Sequence, residues 1–122
     1  MKKVRLGIIG CGWISKNHLD AVSQIPEADF VAAADIIPEK LQAVSEQYGI
    51  KNLYSDYIEM LEKENLDAVS ICTPSGMHPQ MGIDVANHKI NVLTEKPMSI
   101  NIEGADKLIQ ACDANKVKLF VV

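Results

Sequence analysis

Short apolar runs alternate with segments of helical period along the whole chain, and this alternation constrains the fold more than any other feature. Several of the runs are apolar throughout, as expected for strands that are covered on both faces. Alternation of this kind is typical of a parallel sheet with crossover helices. We therefore predict an α/β domain, a doubly wound parallel sheet of about six strands in three α/β/α layers. The predicted strands are residues 4–9, 30–34, 68–72, 91–94 and 118–122, with a short one near Leu53.

Between the strands, apolar residues recur about every 3.6 positions, which predicts amphipathic helices that pack on the sheet. Pro38 suits a first helical turn, Gly49 a C-terminal stop and Asn101 an N-cap, and Asp56 with Glu59 has the spacing of a capping box. The helix residues predicted to lie in the core are Ile14, Val22 and Ile25; Leu41, Val44 and Tyr48; Met77, Met81 and Val85; and Ile102, Ala105, Leu108, Ile109 and Cys112.

Composition and charge exclude several classes of protein. The 122 residues include 16 acidic and 12 basic ones, for a net charge of -4, which argues against a nucleic-acid partner. No apolar stretch approaches the roughly 20 residues that span a membrane, and the charged start does not fit a signal peptide, so we expect a cytoplasmic protein without a membrane partner. Cys11, Cys72 and Cys112 are widely spaced, which favours buried free thiols over disulfides or a zinc site, and no metal site is predicted.

The length suits one domain with one hydrophobic core. The chain closes on the apolar residues Leu119, Phe120, Val121 and Val122, within a predicted strand. Terminal residues are normally exposed and frayed. We therefore expect residues 1–122 to be one domain cut from a longer protein.

A glycine-rich turn follows the first strand and precedes the first helix, in the pattern G-x-G-x-x-S. Strand, turn and helix in this order are the context in which such a pattern indicates a dinucleotide site. The first glycine permits a tight turn, the second lets the backbone approach a diphosphate, and the amide groups at the helix start bind its negative charge. The residues expected to bind the cofactor here are Gly10, Cys11, Gly12, Trp13 and Ile14.

Asp35 ends the second predicted strand, 23 residues beyond Gly12. An acid at about this spacing accepts hydrogen bonds from the adenosine ribose of a dinucleotide. The extra 2'-phosphate of NADP would be repelled by about 4 kcal/mol per unit charge at about 4 Å and an effective dielectric of about 20. The neighbouring Ile36 and Ile37 offer no cation to offset this repulsion. The sequence therefore predicts NAD as the cofactor, in preference to NADP.

Two further loops follow predicted strands at the carboxyl edge of the sheet, where open parallel sheets bind their ligands. The first begins with Thr73-Pro74-Ser75, and His78 opens the helix after it. The second is Glu95-Lys96-Pro97, in which the proline biases Lys96 toward an extended conformation that projects its amine into the crevice.

The order and spacing of four features resemble the nucleotide-binding half of the Gfo/Idh/MocA family of NAD(P)-dependent oxidoreductases. These features are the glycine turn, Asp35, the Thr-Pro-Ser loop with its histidine, and the Glu-Lys-Pro loop. The resemblance covers essentially the whole chain. It implies an N-terminal Rossmann domain, followed by a larger α/β domain that supplies most of the substrate pocket and often drives oligomerisation. That second domain, with its usual catalytic aspartate and histidine, has no counterpart in residues 1–122, and a homo-oligomer would form through it.

The resemblance also implies roles for single residues. Lys96 would contact the substrate and the nicotinamide ribose and assist proton transfer, which makes it the predicted catalytic residue. Its bond to Pro97 would often be cis. Ser75 departs from the asparagine common in the family. The residues that would line the nicotinamide end of the cofactor are Glu95 and the loop of Thr73, Pro74 and Ser75.

The histidines and the single tryptophan have weaker signals. His78 is placed beside the expected nicotinamide end, and we predict that it contacts the cofactor. His18 is expected to pack or to make a polar contact at the helix surface, and His88 to lie at a helix end, where a cation is mildly favourable. Trp13 either shields the diphosphate or packs, and the sequence leaves both open.

The sequence thus predicts an NAD-dependent oxidoreductase domain that serves hydride transfer between nicotinamide and a hydroxyl-bearing carbon. The substrate would be a small molecule: a sugar, a cyclitol or a nucleotide sugar, with some likeness to relatives acting on nucleotide sugars in surface-polysaccharide biosynthesis. A stand-alone dinucleotide-binding or sensing module is one alternative. An adenosylmethionine-dependent methyltransferase is another, although that class usually has an acid before its glycines and no use for the Glu-Lys-Pro loop.

Overall fold

Residues 2–122 are described by a computed structural model, in which six parallel strands form one sheet. The strands are β1 (Val4–Ile9), β2 (Ala28–Ala34), β3 (Asn52–Tyr54), β4 (Ala68–Ile71), β5 (Asn91–Thr94) and β6 (Leu119–Val121). The helices of this range are α1 (Ser15–Ser23), α2 (Pro38–Tyr48), α3 (Tyr57–Lys63), α4 (His78–Asn87) and α5 (Ile102–Asn115). A short 3-10 turn, Ser75–Met77, leads into α4.

The strand order is β3-β2-β1-β4-β5-β6, with every neighbouring pair parallel. The chain runs outward from β1 to β3, returns to place β4 on the other side of β1, and then runs outward again. The carboxyl ends of β1 and β4 therefore flank the point where the strand order reverses, which is where such sheets bind ligands. The predicted doubly wound α/β fold is confirmed.

Helices cover both faces of the sheet. One hydrophobic cluster joins α3, α4 and α5 to the sheet, and a second joins α1 and α2 to the opposite face. Ile9 belongs to the first cluster and its neighbour Ile8 to the second, because successive strand residues point to opposite faces. This explains why residues 7–9 of β1 and residues 30–34 of β2 are apolar without alternation, and it confirms the three-layer arrangement.

Most of the predicted helix faces are buried, but four of their residues are exposed. Ile25 lies beyond the end of α1, and Met77 lies in the 3-10 turn before α4, so neither belongs to the helix face that the pattern gave it. Ile102, at the first position of α5, is 80% exposed, and Ile109 lies beside the buried Leu108 on the solvent side. These four core predictions are wrong because helical periodicity does not show where a helix ends or how wide a face of the helix is buried.

The predicted helix ends are largely confirmed. Gly49 ends α2 with a left-handed conformation, φ 72°, and Pro38 occupies its first turn. Asp56 and Asn101 each accept an amide hydrogen bond from the first turn of the helix that they precede. Glu59 accepts a hydrogen bond from a lysine side chain one turn later, at 2.7 Å, so Asp56 alone caps α3.

No helix within residues 2–122 is long and apolar enough to cross a membrane.

Gly82 allows α4 to approach α5. A Cβ atom at Gly82 would lie 2.5 Å from Cδ1 of Leu108, which is fully buried. Overpacking costs about 1–3 kcal/mol, whereas replacing a helical glycine with alanine gains at most about 1 kcal/mol. We expect Gly82→Ala to lower the free energy of unfolding, measured by urea titration. Gly76→Ala is the control, because its methyl group enters open space, and a Gly82→Ala variant as stable as the wild type would contradict this account.

Candidate functional site

A cleft of about 240 Å³ opens at the point where the strand order reverses. It lies between the loops that follow β1, β2 and β4. Five of the residues predicted from the sequence to bind a cofactor line it: Gly10, Gly12, Asp35, Thr73 and Pro74.

Gly10 brings the loop after β1 against the end of β4. A Cβ atom on Gly10 would lie 2.9 Å from the main-chain carbon of Cys72 and from the amide nitrogen of Thr73, and its φ of 92° is a conformation that favours glycine. The Gly10 amide donates to the carbonyl of Ala34, at 2.9 Å. The predicted tight turn is therefore required by packing inside the protein.

Gly12 has a different environment. A Cβ atom there would meet only the amine of Lys40, at 3.7 Å, so packing within the chain does not require a glycine. The buried Ser15 hydroxyl donates to the Gly12 carbonyl at 2.5 Å, which fixes the turn at the start of α1. Within residues 2–122, the amides of Gly12, Trp13 and Ile14 have no acceptor. The free amides and the nearby Lys40 amine suit an anion at this helix start.

The Asp35 carboxylate joins two of the loops. Its Oδ2 accepts from the amide of Cys11 at 2.7 Å, and its Oδ1 accepts from the amide of Ile37 at 2.8 Å. Each carboxylate oxygen accepts more than one hydrogen bond. Asp35 is thus held at the edge of the cleft and can still accept from a ligand's hydroxyl groups.

The Glu-Lys-Pro loop is anchored on one side by His18. His18 Nε2 lies 2.6 Å from Glu95 Oε2, and their side chains are 8% and 12% exposed. The pair connects α1, which follows the glycine turn, to the loop after β5. The sequence interpretation gave His18 a packing or surface contact and missed this partner, because 77 residues separate the two.

His78 anchors the same loop from the other side. Its ring is 1% exposed, with Nδ1 at 2.8 Å from the carbonyl of Pro97 and Nε2 at 2.6 Å from the carbonyl of Thr73. Since both partners are carbonyl oxygens, each ring nitrogen that carries a proton donates to one of them. The polar atoms of His78 thus link the loops after β4 and β5, and the expected contact with the cofactor stays a prediction.

Lys96 lies between these two anchors and is exposed. Its peptide bond to Pro97 is cis, as the resemblance implied. Ser75 is half-buried in the turn before α4. Five of the predicted site residues lie at the same sheet edge as the cleft but do not line it: Glu95, Lys96, Pro97, Ser75 and His78.

Two residues of the glycine turn differ in exposure. Trp13 is 83% exposed, which excludes the packing role within this chain, whereas Ile14 packs partly against the core of α1 and α2. The Trp13 ring is therefore available to a ligand or a partner surface.

The cysteines are free and buried, as predicted. Burial raises the pKa of Cys11 and of Cys72 to about 12, so both thiols are neutral near the cleft. Across residues 2–122, no three histidine, cysteine or acidic side chains are grouped closely enough to hold a metal ion.

The cleft also has residues that the sequence interpretation did not assign to it. They are one cation, Lys40, and a largely apolar group: Ile36, Ile37, Tyr57 and Met77. The sequence did contain a signal for three of them. Ile36, Ile37 and Lys40 follow Asp35 closely, and residues around the first turn of α2 lie beside the end of β2.

The buried His18–Glu95 pair predicts energetic coupling. His18→Ala and Glu95→Ala each remove a partner and leave a largely buried polar group, which costs about 1–3 kcal/mol. In a double-mutant cycle followed by urea unfolding, we expect the double variant to lose about 1–3 kcal/mol less than the sum of the single losses. The exposed pair Lys107–Glu103 serves as the control with little or no coupling, and additive losses for His18 and Glu95 would contradict the contact.

Residues 4–122 match the model of an oxidoreductase family with an NAD-binding Rossmann fold, named GFO_IDH_MocA. The myo-inositol 2-dehydrogenase of Thermotoga maritima is 32% identical over 96% of this chain and 35% of its own length. The scyllo-inositol 2-dehydrogenase (NADP(+)) of Bacillus subtilis is 29% identical over 95% of this chain and 35% of its own length. The chain thus spans about a third of the length of these relatives.

Among solved structures, the WlbA dehydrogenase from Bordetella pertussis, in complex with NADH and UDP-GlcNAcA, superposes with a TM-score of 0.96. It is 42% identical, and the match covers 99% of this chain and 37% of that one. These likenesses favour an oxidoreductase over the methyltransferase alternative.

Proposed function

Because the chain belongs to the Gfo/Idh/MocA oxidoreductase family, we propose that its cleft binds NAD(H) for hydride transfer to or from a hydroxyl-bearing carbon. The observation that carries this proposal is the juxtaposition at the switch point of free helix-start amides with the fixed Asp35 carboxylate. When bound, the nicotinamide supplies the hydride donor or acceptor. The residues of this chain bind it, orient it and move a proton.

The diphosphate would lie over Gly12, where the nearest atom that a side chain would meet is the amine nitrogen of Lys40, at 3.7 Å. The amides of Gly12, Trp13 and Ile14 would donate to its oxygens, and the start of α1 adds the favourable end of the helix dipole. Cys11 contributes indirectly, because its amide holds the Asp35 carboxylate in place.

Asp35 would accept hydrogen bonds from the two hydroxyls of the adenosine ribose. NAD provides both hydroxyls, whereas NADP replaces one with a phosphate that the carboxylate repels. We therefore propose NAD as the preferred cofactor. The name of one similar protein includes NADP(+), so similarity alone does not decide between the two cofactors. The preference of this chain depends on its own residues around the ribose.

Lys96 is the proposed catalytic residue. Its amine is exposed on a loop that His18 and His78 hold from either side. With Nζ within about 3 Å of the substrate oxygen, it would accept the hydroxyl proton as hydride leaves the carbon. Glu95, Pro97, Thr73, Pro74 and Ser75 would shape the nicotinamide end, and Glu95 does so as the partner of His18.

For the whole protein, we propose a second domain and a class of substrate. Residues 1–122 would be the dinucleotide-binding domain, and a following domain would supply most of the substrate pocket and the contacts of a homo-oligomer. The named relatives act on an inositol or are solved with a nucleotide sugar. We propose a substrate from this range: a sugar, a cyclitol or a nucleotide sugar.

The first test of this proposal is calorimetric titration of the chain with NADH. We expect saturable binding, with no binding of adenosylmethionine. Gly12→Ala should weaken NADH binding by at least tenfold, because its methyl group occupies the path of the diphosphate, while urea unfolding stays within about 0.5 kcal/mol of the wild type. Unchanged NADH affinity in Gly12→Ala, or no binding to the wild type, would contradict the proposed site.

The second test addresses Lys96 in the full-length protein. Lys96→Ala should leave the Kd for NAD within about twofold and lower kcat by about 10² to 10⁴, the usual contribution of general acid–base catalysis. Lys96→Arg should fail to restore kcat, since arginine keeps its proton. Turnover that is unchanged in Lys96→Ala, or rescued by arginine, would remove the proton-transfer role.

A further inference from the structure

His18 connects two parts of the site that are distant in the sequence. It is the fourth residue of α1, and its Nε2 lies 2.6 Å from Oε2 of Glu95, in the loop after β5. Within residues 2–122, neither side chain has a second hydrogen-bond partner. Both are largely buried, so the contact is screened far less by solvent ions than a surface pair.

The first turn of α1 joins this contact to the glycine turn. The amide of Ser15 donates to the carbonyl of Gly12 at 3.2 Å, and the amide of Asn17 donates to the carbonyl of Ile14 at 3.1 Å. The carbonyls of Gly12 and Ile14 therefore hold the start of α1, while their free amides face the proposed diphosphate. His18 follows about one helical turn later, so a single turn separates the diphosphate position from the contact with Glu95.

The Glu95 side chain extends into the protein. Its amide donates to the carbonyl of Ile71 at 3.0 Å, which fixes the backbone against the end of β4. Burial, and then the charge of Glu95, raise the pKa of the Cys72 thiol to about 12, which shows that the carboxylate lies near the end of β4. A largely buried carboxylate depends strongly on its partner, because an unpaired charge in this setting is costly.

Lys96 has no side-chain anchor of its own. It is exposed, and among residues 2–122 no carboxylate oxygen lies within 4.0 Å of its amine. The position of the amine is therefore set by the neighbouring residues: Glu95, held by His18, and Pro97, whose carbonyl is bound by His78. Loss of the His18 contact would leave the amine intact but widen the range of positions that it occupies.

We infer that His18 is a positioning residue, which acts through Glu95 to tie the loop that carries Lys96 to the helix start that faces the diphosphate. The inference rests on the proposed dinucleotide site and on the proposed role of Lys96. His18 does not line the cleft, so its effect on the reaction is geometric. Such effects are large, because a misplacement of about 1 Å can cost about 10²-fold in rate.

The test depends on a pair of variants, His18→Gln and His18→Asn. The amide nitrogen of glutamine lies as far along the side chain as Nε2 of histidine and can still donate to Glu95, whereas the shorter asparagine cannot reach it. His88→Ala is the matched control. His88 also has one ring nitrogen bonded, with Nδ1 at 2.7 Å from the carbonyl of Asp84, but it lies at the C-terminal end of α4, away from the loop.

The first measurement is hydrogen exchange by NMR in the chain without ligand. The Glu95 amide, bonded to Ile71, reports opening of the loop, and the Cys72 amide, bonded to the Ile9 carbonyl at 2.8 Å, is the reference for global unfolding. His18→Asn should raise the Glu95 rate about tenfold relative to Cys72, the factor that corresponds to one lost charge-assisted hydrogen bond. His18→Gln and His88→Ala should keep the wild-type ratio.

The second measurement is steady-state kinetics of the full-length protein, with myo-inositol and UDP-GlcNAcA as probe substrates because similar proteins are named for them or solved with them. His18→Asn should lower kcat by about 10²-fold while the Kd for NAD stays within about twofold. His18→Gln should restore most of the loss. In a Lys96→Ala background, His18→Asn should lower kcat no further, because the group that it positions is gone.

Four results would overturn the inference: equal acceleration of Glu95 and Cys72, equal losses in His18→Gln and His18→Asn, a weaker Kd for NAD with unchanged kcat, or a further loss of kcat in Lys96→Ala. If neither probe substrate is turned over, the exchange ratio decides alone. Absence of NADH binding to the wild type would overturn the proposed function instead, while the exchange ratio, measured without ligand, still tests whether His18 holds the loop.

Discussion

The close approach of two backbone segments at Gly10 is the constraint on which the site depends. The loop after β1 passes within 2.9 Å of the main chain at the end of β4, measured from a Cβ position that only glycine leaves empty. This contact sets where α1 begins, and therefore where its first amides point. The Asp35 carboxylate then holds the turn from the side of β2, through the amide of Cys11. The cleft is thus shaped by one close backbone approach and one side-chain-to-backbone hydrogen bond within the chain.

The fold was predictable because it depends on local patterns. Strands buried on both faces must be apolar throughout, and Gly49, Asp56 and Asn101 act within one turn of a helix. The site was predictable where its geometry follows directly from a strand end, as for Gly10, Gly12 and Asp35. The His18–Glu95 pair was not, since no local pattern shows which side chain from α1 meets a loop 77 residues away. Lys40 was missed for a similar reason: its reach depends on how α2 turns back over the cleft.

The loops after β4 and β5 form one unit. His78 bridges the carbonyls of Thr73 and Pro97, and Glu95 is held by His18 on α1. The proposed proton-transfer residue, Lys96, is therefore carried on a segment with buried anchors before and after it, although its own side chain is exposed. Such support is typical of sites whose reacting groups must be held within a fraction of an ångström.

The buried thiols at the cleft have a consequence for oxidative chemistry. Peroxide attacks the thiolate form of cysteine. Burial raises the pKa of the Cys11 thiol to about 12, so the thiol is neutral at pH 7. The sulfur of the glycine turn is consequently a poor target for sulfenic acid formation.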